Sequence, residues 1–400
     1  MDILVVTNSC SDKTYQQIQR KRKRTIVDPQ QKFFRLMIDG LAANKHSNIT
    51  AASALPVSAS TVDQYVFRGT AEKTETGVNY YYLPFLNGKI SRYLSLIWSS
   101  GRYAKKWCKE HRGKNAWVIV DPLVPVISIP TRRAAQKRGI KVAAVVTDIP
   151  TLCTNMKGRK ENIIKRTFLL LYQKISDRDL HAYDAYIPLT ESINDVVNVN
   201  KKPYIVIEGF ADSRDTEISS VHENYIMYAG GVYEKYGVKT LVDAFLSLKR
   251  QDVSLYIFGE GPYVDELKKV EKIHSNVRYM GCVSPEDVVT YEKRALLLVN
   301  PRPTDEEFAK YSFPSKTMEY LLSGTAVVST RLPGIPEEYF EHMYSFSGYT
   351  EDAISAGLAS ILSQSKAVLR AKGEDGHVFA MKKKNNVELS QKALELLRKA

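Results

Sequence analysis

Cysteine is scarce in this chain, with 4 in 400 residues. Cys10, Cys108, Cys153 and Cys282 are scattered, and none forms a CxxC pair or a Cys/His pair at zinc-ligand spacing. The 7 histidines show no metal-ligand spacing either. The pattern argues against a disulfide scaffold and against a bound metal, and it favours a reducing cytosol.

Long apolar runs, repeats and low-complexity tracts are also lacking. No run approaches the ~18 apolar residues of a membrane span, and the opening MDILVVTN is typical of a buried strand rather than a signal peptide. No repeat at a solenoid period is present. With 44% hydrophobic and 25% charged residues the composition is that of a globular protein. A chain of 400 residues predicts about two domains.

The net charge of +13 is unevenly distributed. Residues 1–200 contain 31 Lys and Arg against 16 Asp and Glu, whereas residues 201–400 contain 26 against 28. All of the excess positive charge therefore lies in the N-terminal half. Such a division predicts that one domain meets an anionic partner: nucleic acid, a phospholipid surface or a phosphate-bearing substrate.

Short apolar runs rich in β-formers alternate with helical patterns through both halves. The predicted strands are Ile3–Thr7, Ile49–Leu55, Trp117–Val120, Val142–Val146, Tyr225–Ala229, Ser254–Phe258, Val277–Met280, Ala295–Val299 and Ala326–Thr330. The predicted helices are Gln31–Asn44, Ile90–Glu110, Val124–Arg138, Val238–Lys249, Tyr263–Ile273, Pro285–Arg294, Lys316–Ser323 and Val387–Leu397. Alternation of this kind predicts an α/β fold with two doubly wound parallel sheets. We expect domains at 1–203 and 204–380, and a C-terminal helix within 381–400 that packs back on the first domain.

Ligands of doubly wound sheets bind beyond the carboxyl ends of the strands, so the strand-end loops are candidate sites. The strongest is the loop that enters the predicted Lys316 helix, where N–H groups near Pro314 and Ser315 form an anion site. Lys316 and Arg302 add cations, and Glu319 lies one turn further on the same helix face. An ordinary amphipathic helix with a surface Lys316–Glu319 ion pair explains the pattern equally well.

Several motifs over residues 205–340 resemble those of retaining glycosyltransferases of family 4. They are YAGGVYEKYGVKTLVDAF from Tyr228, IFGEGP from Ile257, MGCV from Met280, EYLLSGTAVV from Glu319 and PGIPE from Pro333. The resemblance implies the GT-B fold, two facing Rossmann-like domains with an inter-domain cleft. It implies a nucleotide-sugar donor on the C-terminal domain, transfer with retention and no required metal. The first 203 residues would then form the basic, acceptor-binding domain.

The resemblance also implies donor-site positions. Gly230, Gly231 and Lys235 fall in the phosphate loop and Gly259 in the next strand–turn, while the backbone near Cys282 and Val283 meets the base. Pro314, Ser315 and Lys316 would bind the diphosphate with Arg302, and Glu319 would hold the ribose. A UDP-sugar is favoured over a GDP-sugar.

Three charged positions depart from the family pattern. Gly231 stands where the family usually has Arg, Tyr236 where it has Lys, and Tyr311 where it has the first of two glutamates. We expect Arg302 and Lys316, with Lys235, to replace the missing cations. The YGxx and SFPSK patterns resemble those of a bacterial capsular and surface-polysaccharide branch.

The N-terminal half offers acceptor-site candidates. Asp148 follows a predicted strand and could orient or deprotonate an acceptor hydroxyl, although a helix cap is an equal alternative. Thr190 and Glu191 mark another strand-end loop. The basic run Arg20–Arg24 is either a solvated loop or a grip on phosphate. The basic, aromatic stretch Ile90–Trp107 either packs in the core or lies in a membrane interface.

We therefore predict a cytoplasmic glycosyltransferase, peripheral at the inner face of the cell membrane, with Asp148, Arg302 and Lys316 as its catalytic residues. Its acceptor would be a lipid-linked or oligosaccharide chain in surface-polysaccharide synthesis, with an anionic membrane surface as partner. The alternatives are a nucleotide-sugar epimerase and a glycan-binding accessory subunit with a degenerate donor site. No nucleic acid is expected, because the basic run lacks a recognition motif.

Overall fold

A computed structural model describes residues 1–23, 29–45, 47–149, 174–219 and 221–400. Cys153 and Arg24, which the sequence analysis considered, lie outside these ranges. The chain divides into two compact units: Met1–Phe210 with Asn386–Ala400, and Ala211–Asn385. In the described ranges no helix is long and apolar enough to cross a bilayer.

The N-terminal unit is built on a seven-stranded sheet. Its strands are β1 (Asp2–Thr7), β2 (Asn48–Ser53), β4 (Thr70–Lys73), β5 (Asn79–Tyr82), β7 (Ala116–Val120), β8 (Lys141–Val146) and β9 (Ala185–Pro188), while β3 (Val66–Phe67) and β6 (Phe85–Leu86) form a separate ribbon. The strand order is β4-β5-β2-β1-β7-β8-β9, and only β4 is antiparallel to its neighbour. The central strands are apolar runs because helices cover both faces of a parallel sheet.

The helices of this unit are α1 (Asp12–Lys21), α2 (Pro29–Ala43), α3 (Ser91–Glu110), α4 (Pro125–Gln136) and α5 (Glu191–Val197), and the chain returns to it with α12 (Asn386–Lys399). Helix α12 packs on α2, where the Asn386 side chain donates to the carbonyl of Leu36 at 3.1 Å. A Cβ on Gly40 would lie 2.0 Å from the Asn386 carbonyl oxygen. The close crossing of the two helices therefore depends on glycine at position 40.

The C-terminal unit is a six-stranded parallel sheet. Its strands are β10 (Tyr225–Ala229), β11 (Ser254–Phe258), β12 (Val277–Gly281), β13 (Leu297–Asn300), β14 (Val327–Ser329) and β15 (Tyr344–Ser345). Its helices are α6 (Val238–Ser247), α7 (Val264–Ile273), α8 (Pro285–Arg294), α9 (Ser315–Leu322), α10 (Glu351–Leu362) and α11 (Lys366–Lys383). Short 3-10 turns occupy Glu234–Tyr236, Glu307–Tyr311 and Glu337–Glu341.

The strand order of this sheet is β12-β11-β10-β13-β14-β15. Counted along the unit, that is 3-2-1-4-5-6, the order of the doubly wound dinucleotide-binding fold. The order reverses between β10 and β13, so the loops after these two strands diverge and leave a crevice at the sheet edge. The predicted parallel α/β architecture is confirmed in both units.

Candidate functional site

The candidate donor site lies at the carboxyl edge of the C-terminal sheet, beside the switch point between β10 and β13. The loop after β10 carries Gly230, Gly231 and Lys235, and the loop after β13 carries Arg302. The strand order reverses between β10 and β13, and this reversal brings the two distant segments to one crevice. The fold thus gathers the predicted phosphate-loop residues at the place where doubly wound sheets bind ligands.

Close backbone contacts lock the loops after β10, β11 and β12 together. Gly259 has φ +122°, and a Cβ there would lie 1.8 Å from the carbonyl oxygen of Gly230. Its N–H donates to the carbonyl of Gly281 at 2.8 Å, directly before Cys282. Only glycine fits this position, because any side chain would displace the phosphate-loop candidate. The GEG turn, weak as a motif, therefore has a definite steric role.

The loops after β10 and β13 meet through another glycine and an aromatic ring. Gly237 has φ +79°, and a Cβ there would lie 2.1 Å from the Pro301 carbonyl oxygen. The guanidinium carbon of Arg302 lies 4.7 Å from the centroid of the Tyr236 ring, and the Lys235 ammonium lies 5.3 Å from it. Tyr236 stands where the resembled family has Lys, so the ring gathers two cations where the family places one. This geometry is compatible with the predicted replacement.

The N-terminus of α9 is exposed at Ser315 and carries no side-chain cap. Pro314 is the N-cap residue with extended backbone, at φ −67° and ψ 109°, and it offers no side-chain oxygen to the first turn. The first N–H groups of a helix have no partner inside the helix, and the dipole makes that end positive. The helix predicted at Lys316–Ser323 is confirmed; it spans Ser315–Leu322 and directly follows Pro314.

Lys316 is not a lone cation. Its ammonium lies 2.6 Å from a Glu319 carboxylate oxygen and 3.3 Å from a Glu292 carboxylate oxygen. Burial alone lowers the pKa of Lys316, but the charges of Glu319 and Glu292 and their hydrogen bonds raise it well above its usual range. Two carboxylates offset its charge, so Lys316 offers an anion less attraction than the sequence suggested. The Lys316–Glu319 ion pair exists, and Glu292 extends it into a triad.

Tyr228 is a buried residue that contacts the loop after β10. Its hydroxyl donates to the Gly231 carbonyl at 2.9 Å, which braces the phosphate-loop candidate from beneath. Burial raises the pKa of Tyr228, while the nearby charges of Arg302 and Lys316 act in the opposite direction. Both cations are therefore close enough to the Tyr228 hydroxyl to act on it.

The candidates of the N-terminal unit follow the carboxyl ends of two paired parallel strands, β8 and β9. Asp148 follows β8, is partly exposed, and accepts a hydrogen bond from the N–H of Ile149 at 2.7 Å. Thr190 caps α5 by accepting from the Ile193 N–H, and Glu191 accepts from the Tyr204 hydroxyl at 3.1 Å. Thr190 and Glu191 therefore each make a local structural hydrogen bond.

The basic run beginning at Arg20 differs from the solvated loop considered above. Arg20 and Lys21 form the last turn of α1, Lys23 pairs with Asp63 at 2.6 Å, and Arg22 donates to the Pro56 carbonyl. The loop interpretation is therefore wrong for Arg20 and Lys21, which are helical, whereas Arg22 and Lys23 lie outside the helix.

Asp121 is a candidate that the sequence analysis missed. It follows β7, at the switch point between β1 and β7, and is fully buried. Its carboxylate accepts from the Gln30 side chain at 2.6 Å and from the Leu123 N–H at 2.9 Å. Burial raises the pKa of Asp121 to about 7, although the Leu123 hydrogen bond lowers it in part. The signal in the sequence was an aspartate directly after a predicted strand, in Val120-Asp121-Pro122.

Glu292 was missed for a different reason. It lies in the pattern YEKR near the end of α8, where the flanking charges indicate a surface position. In the structure only 1% of Glu292 is exposed, and its carboxylate contacts the Lys316 ammonium. Tyr228 begins one of the sequence motifs, but no role was predicted for its side chain. Across the described ranges, no group of three His, Cys, Asp or Glu side chains could hold a metal.

Comparisons with known proteins agree with this geometry. Residues 223–363 match a family model described as glycosyl transferases group 1. No curated protein sequence matches the chain. The sucrose-phosphate synthase of Thermosynechococcus elongatus is similar in structure, with a TM-score of 0.66 at 13% identity, covering 100% of this chain and 99% of that one.

Two further solved structures are similar. The trehalose 6-phosphate synthase of Burkholderia multivorans has a TM-score of 0.63 at 10% identity, over 100% of this chain and 96% of that one. HepE of Anabaena, solved with UDP, has a TM-score of 0.59 at 11% identity, over 100% of both chains. The predicted GT-B fold is confirmed. The family match over residues 223–363 supports a glycosyltransferase, and the solved structures show its fold.

Proposed function

We propose that the C-terminal unit binds a nucleoside-diphosphate sugar and that the enzyme transfers its sugar, with retention, to a glycan acceptor. The observation that carries the proposal is the pair of cations, Arg302 and Lys235, on the Tyr236 ring at the β10/β13 switch point. The uncapped helix α9 lies beside the same strand, because its Tyr320 hydroxyl accepts a hydrogen bond from the Ala229 N–H at the end of β10. Cations and free helix N–H groups at one crevice are suited to a diphosphate.

Each donor-site residue has a proposed role. Arg302 and the N–H groups of Ser315 and Lys316, which follow Pro314, stabilise the leaving diphosphate, which is electrostatic catalysis by groups already in position. Gly230 and Gly231 let the phosphates approach the backbone of the β10 loop. Glu319 exchanges its hydrogen bond with Lys316 for the ribose hydroxyls, and the backbone at Cys282 and Val283 meets the base. No metal has a step in this scheme.

We propose UDP as the nucleotide, supported by the UDP bound to HepE of Anabaena. The acceptor is proposed to be a lipid-linked glycan of a bacterial surface polysaccharide, met at the inner face of the cell membrane. The excess positive charge of residues 1–200 supports an anionic surface there. Asp148, in the N-terminal unit, is proposed to orient or deprotonate the acceptor hydroxyl.

A glycan-binding accessory subunit is the second candidate function. It is favoured by one observation: Lys316 is neutralised by Glu319 and Glu292, while Gly231 and Tyr236 replace two family cations. Such a protein would bind no nucleoside diphosphate. A nucleotide-sugar epimerase would instead turn over the donor with no acceptor present.

A melting-temperature screen against UDP, GDP, ADP and CMP tests the proposal. A nucleotide at 100 times its Kd stabilises the folded state by about 2.7 kcal/mol, so UDP is expected to raise the melting temperature by several degrees. Arg302→Ala is expected to abolish most of that shift, and Lys272→Ala, at an exposed lysine on α7, serves as the matched control. If no nucleotide shifts the transition, the donor site is wrong and the accessory role gains support.

A further inference from the structure

The N-terminal unit exposes a contiguous apolar surface around the start of α3 and the β3–β6 ribbon. We call it the apolar face and define it by Tyr65, Val66, Leu86, Ile90, Leu94 and Trp98. Ile90 is 73% exposed, Leu94 63% and Trp98 61%. Single exposed apolar residues are ordinary, but six in one area are the mark of an interaction surface.

Local hydrogen bonds hold the parts of this face together. The Tyr65 hydroxyl lies 3.3 Å from the Ser91 hydroxyl, and the Leu86 N–H donates to the Ser95 hydroxyl at 3.1 Å. The ribbon is therefore fixed against the first turns of α3. The apolar face is a built feature of the unit rather than a frayed segment.

The helix divides its apolar residues between two sides. Ile90, Leu94 and Trp98 recur every four residues and lie on one side, exposed. Leu96, Ala104 and Trp107 are buried, and α3 packs closely on α4. Core packing of α3 is thus complete without the apolar face. The core-packing alternative for Ile90–Trp107 therefore holds for the buried side of the helix, and the membrane-interface alternative stays a prediction for the exposed side.

The helix that carries most of the face is rich in positive charge. Residues 89–109 contain six cations and no acidic residue. Of these, Lys89, Arg102, Lys105, Lys106 and Lys109 are exposed, and the Arg102 guanidinium lies 5.3 Å from the centroid of the Trp98 ring. A helix with exposed Trp and Leu beside Lys and Arg is the pattern of segments that lie in a bilayer interface.

We propose that the apolar face inserts into the headgroup–acyl boundary of an anionic phospholipid bilayer, with the cations of α3 at the phosphate level. A second copy of the chain is a poorer occupant, because it would bring the same six positive charges to the interface. The inference deepens the membrane location given above, since it names the surface and the partner. It does not depend on donor binding.

Vesicle sedimentation of the full chain tests this inference, with phosphatidylcholine vesicles compared against vesicles that also contain phosphatidylglycerol. Wild-type protein is expected to bind the anionic vesicles and to dissociate as salt rises. Leu94→Glu with Trp98→Glu is expected to weaken binding about tenfold or more, because two apolar anchors become like-charged with the lipid. Ile273→Glu, at a residue 76% exposed in the other unit, is the matched control and keeps wild-type binding.

Tryptophan emission gives a second readout. The chain has 3 tryptophans, and Trp107 and Trp117 are buried, so a blue shift on vesicle binding reports Trp98. Binding without a blue shift, or undiminished binding of the double variant, would overturn the proposed face. A wild-type protein that is dimeric, with a double variant that is monomeric, would also overturn it and would assign the face to a second copy. The nucleotide melting shift is measured without vesicles, so the two proposals fail independently.

Discussion

Glu292 is the residue whose role the structure changes most. Its carboxylate is 1% exposed and contacts the Lys316 ammonium, which Glu319 also holds. Breaking a buried ion pair from one side is costly, because the remaining charge loses its partner in a medium of low dielectric. The triad therefore both fixes the start of α9 and tempers the charge that α9 presents.

Glu292→Gln is expected to lower the free energy of unfolding by about 1–3 kcal/mol, since a neutral amide replaces a charged partner of Lys316. Urea denaturation measures the change. Glu266→Gln breaks the exposed pair with Lys269 and should cost less than about 1 kcal/mol. Equal losses in the two variants would show that the triad adds nothing.

Asp121 predicts a specific dependence of stability on pH. The folded state keeps a proton on Asp121 up to about pH 7, whereas the unfolded chain releases it near pH ~4. This contribution to stability is therefore fully present below pH ~4 and is lost as the pH rises through about 7. Asp121→Asn cannot ionise, so its stability relative to wild type should increase by up to ~3 kcal/mol between about pH 5 and about pH 8. A constant difference over that range, measured by chemical denaturation, would contradict the assignment.

At the scale of elements, close glycine contacts hold the loops of the C-terminal unit together. Gly259→Ala forces its Cβ against the Gly230 carbonyl, whereas Gly281→Ala meets nothing within 4 Å and suffers only from φ +74°. We expect Gly281→Ala to cost about 1 kcal/mol. Gly259→Ala should cost clearly more and also weaken UDP binding, because the β10 loop must move. Thermal melts with and without UDP measure both effects, and matching costs would refute the steric argument.

The elements that the sequence predicted best are those with strong local signals. Tyr225–Ala229 and Ser254–Phe258 have the predicted bounds because buried parallel strands are short continuous apolar runs. Pro285–Arg294 also matches, since Ser284 caps it and Pro285 is its first residue. Strands β4 and β5 were not predicted, because their residues are partly exposed and form no continuous apolar run.

The candidate site was predictable in its positions but not in its pairings. Strand-end motifs located Arg302 and Lys316 because topology brings strand ends to one edge. The contact of Arg302 with Tyr236 and the burial of Glu292 depend on tertiary packing between segments more than 20 residues apart. No local pattern encodes such contacts.

For the whole molecule, charge and fold divide between the two units. Residues 1–200 carry 31 cations against 16 acids and include the apolar face, whereas the diphosphate crevice proposed above lies in the near-neutral second half. That division fits an enzyme that meets an anionic surface with one unit and a small charged donor with the other. High salt should therefore release the protein from vesicles at concentrations that leave UDP binding largely intact.

Diffraction from crystals soaked with UDP tests the central claim most directly. We predict diphosphate oxygens within hydrogen-bond distance of the Arg302 guanidinium and of the first N–H groups of α9, with Glu319 turned to the ribose. A nucleotide bound elsewhere on the chain, with this crevice vacant and Glu319 still paired with Lys316, would contradict the account.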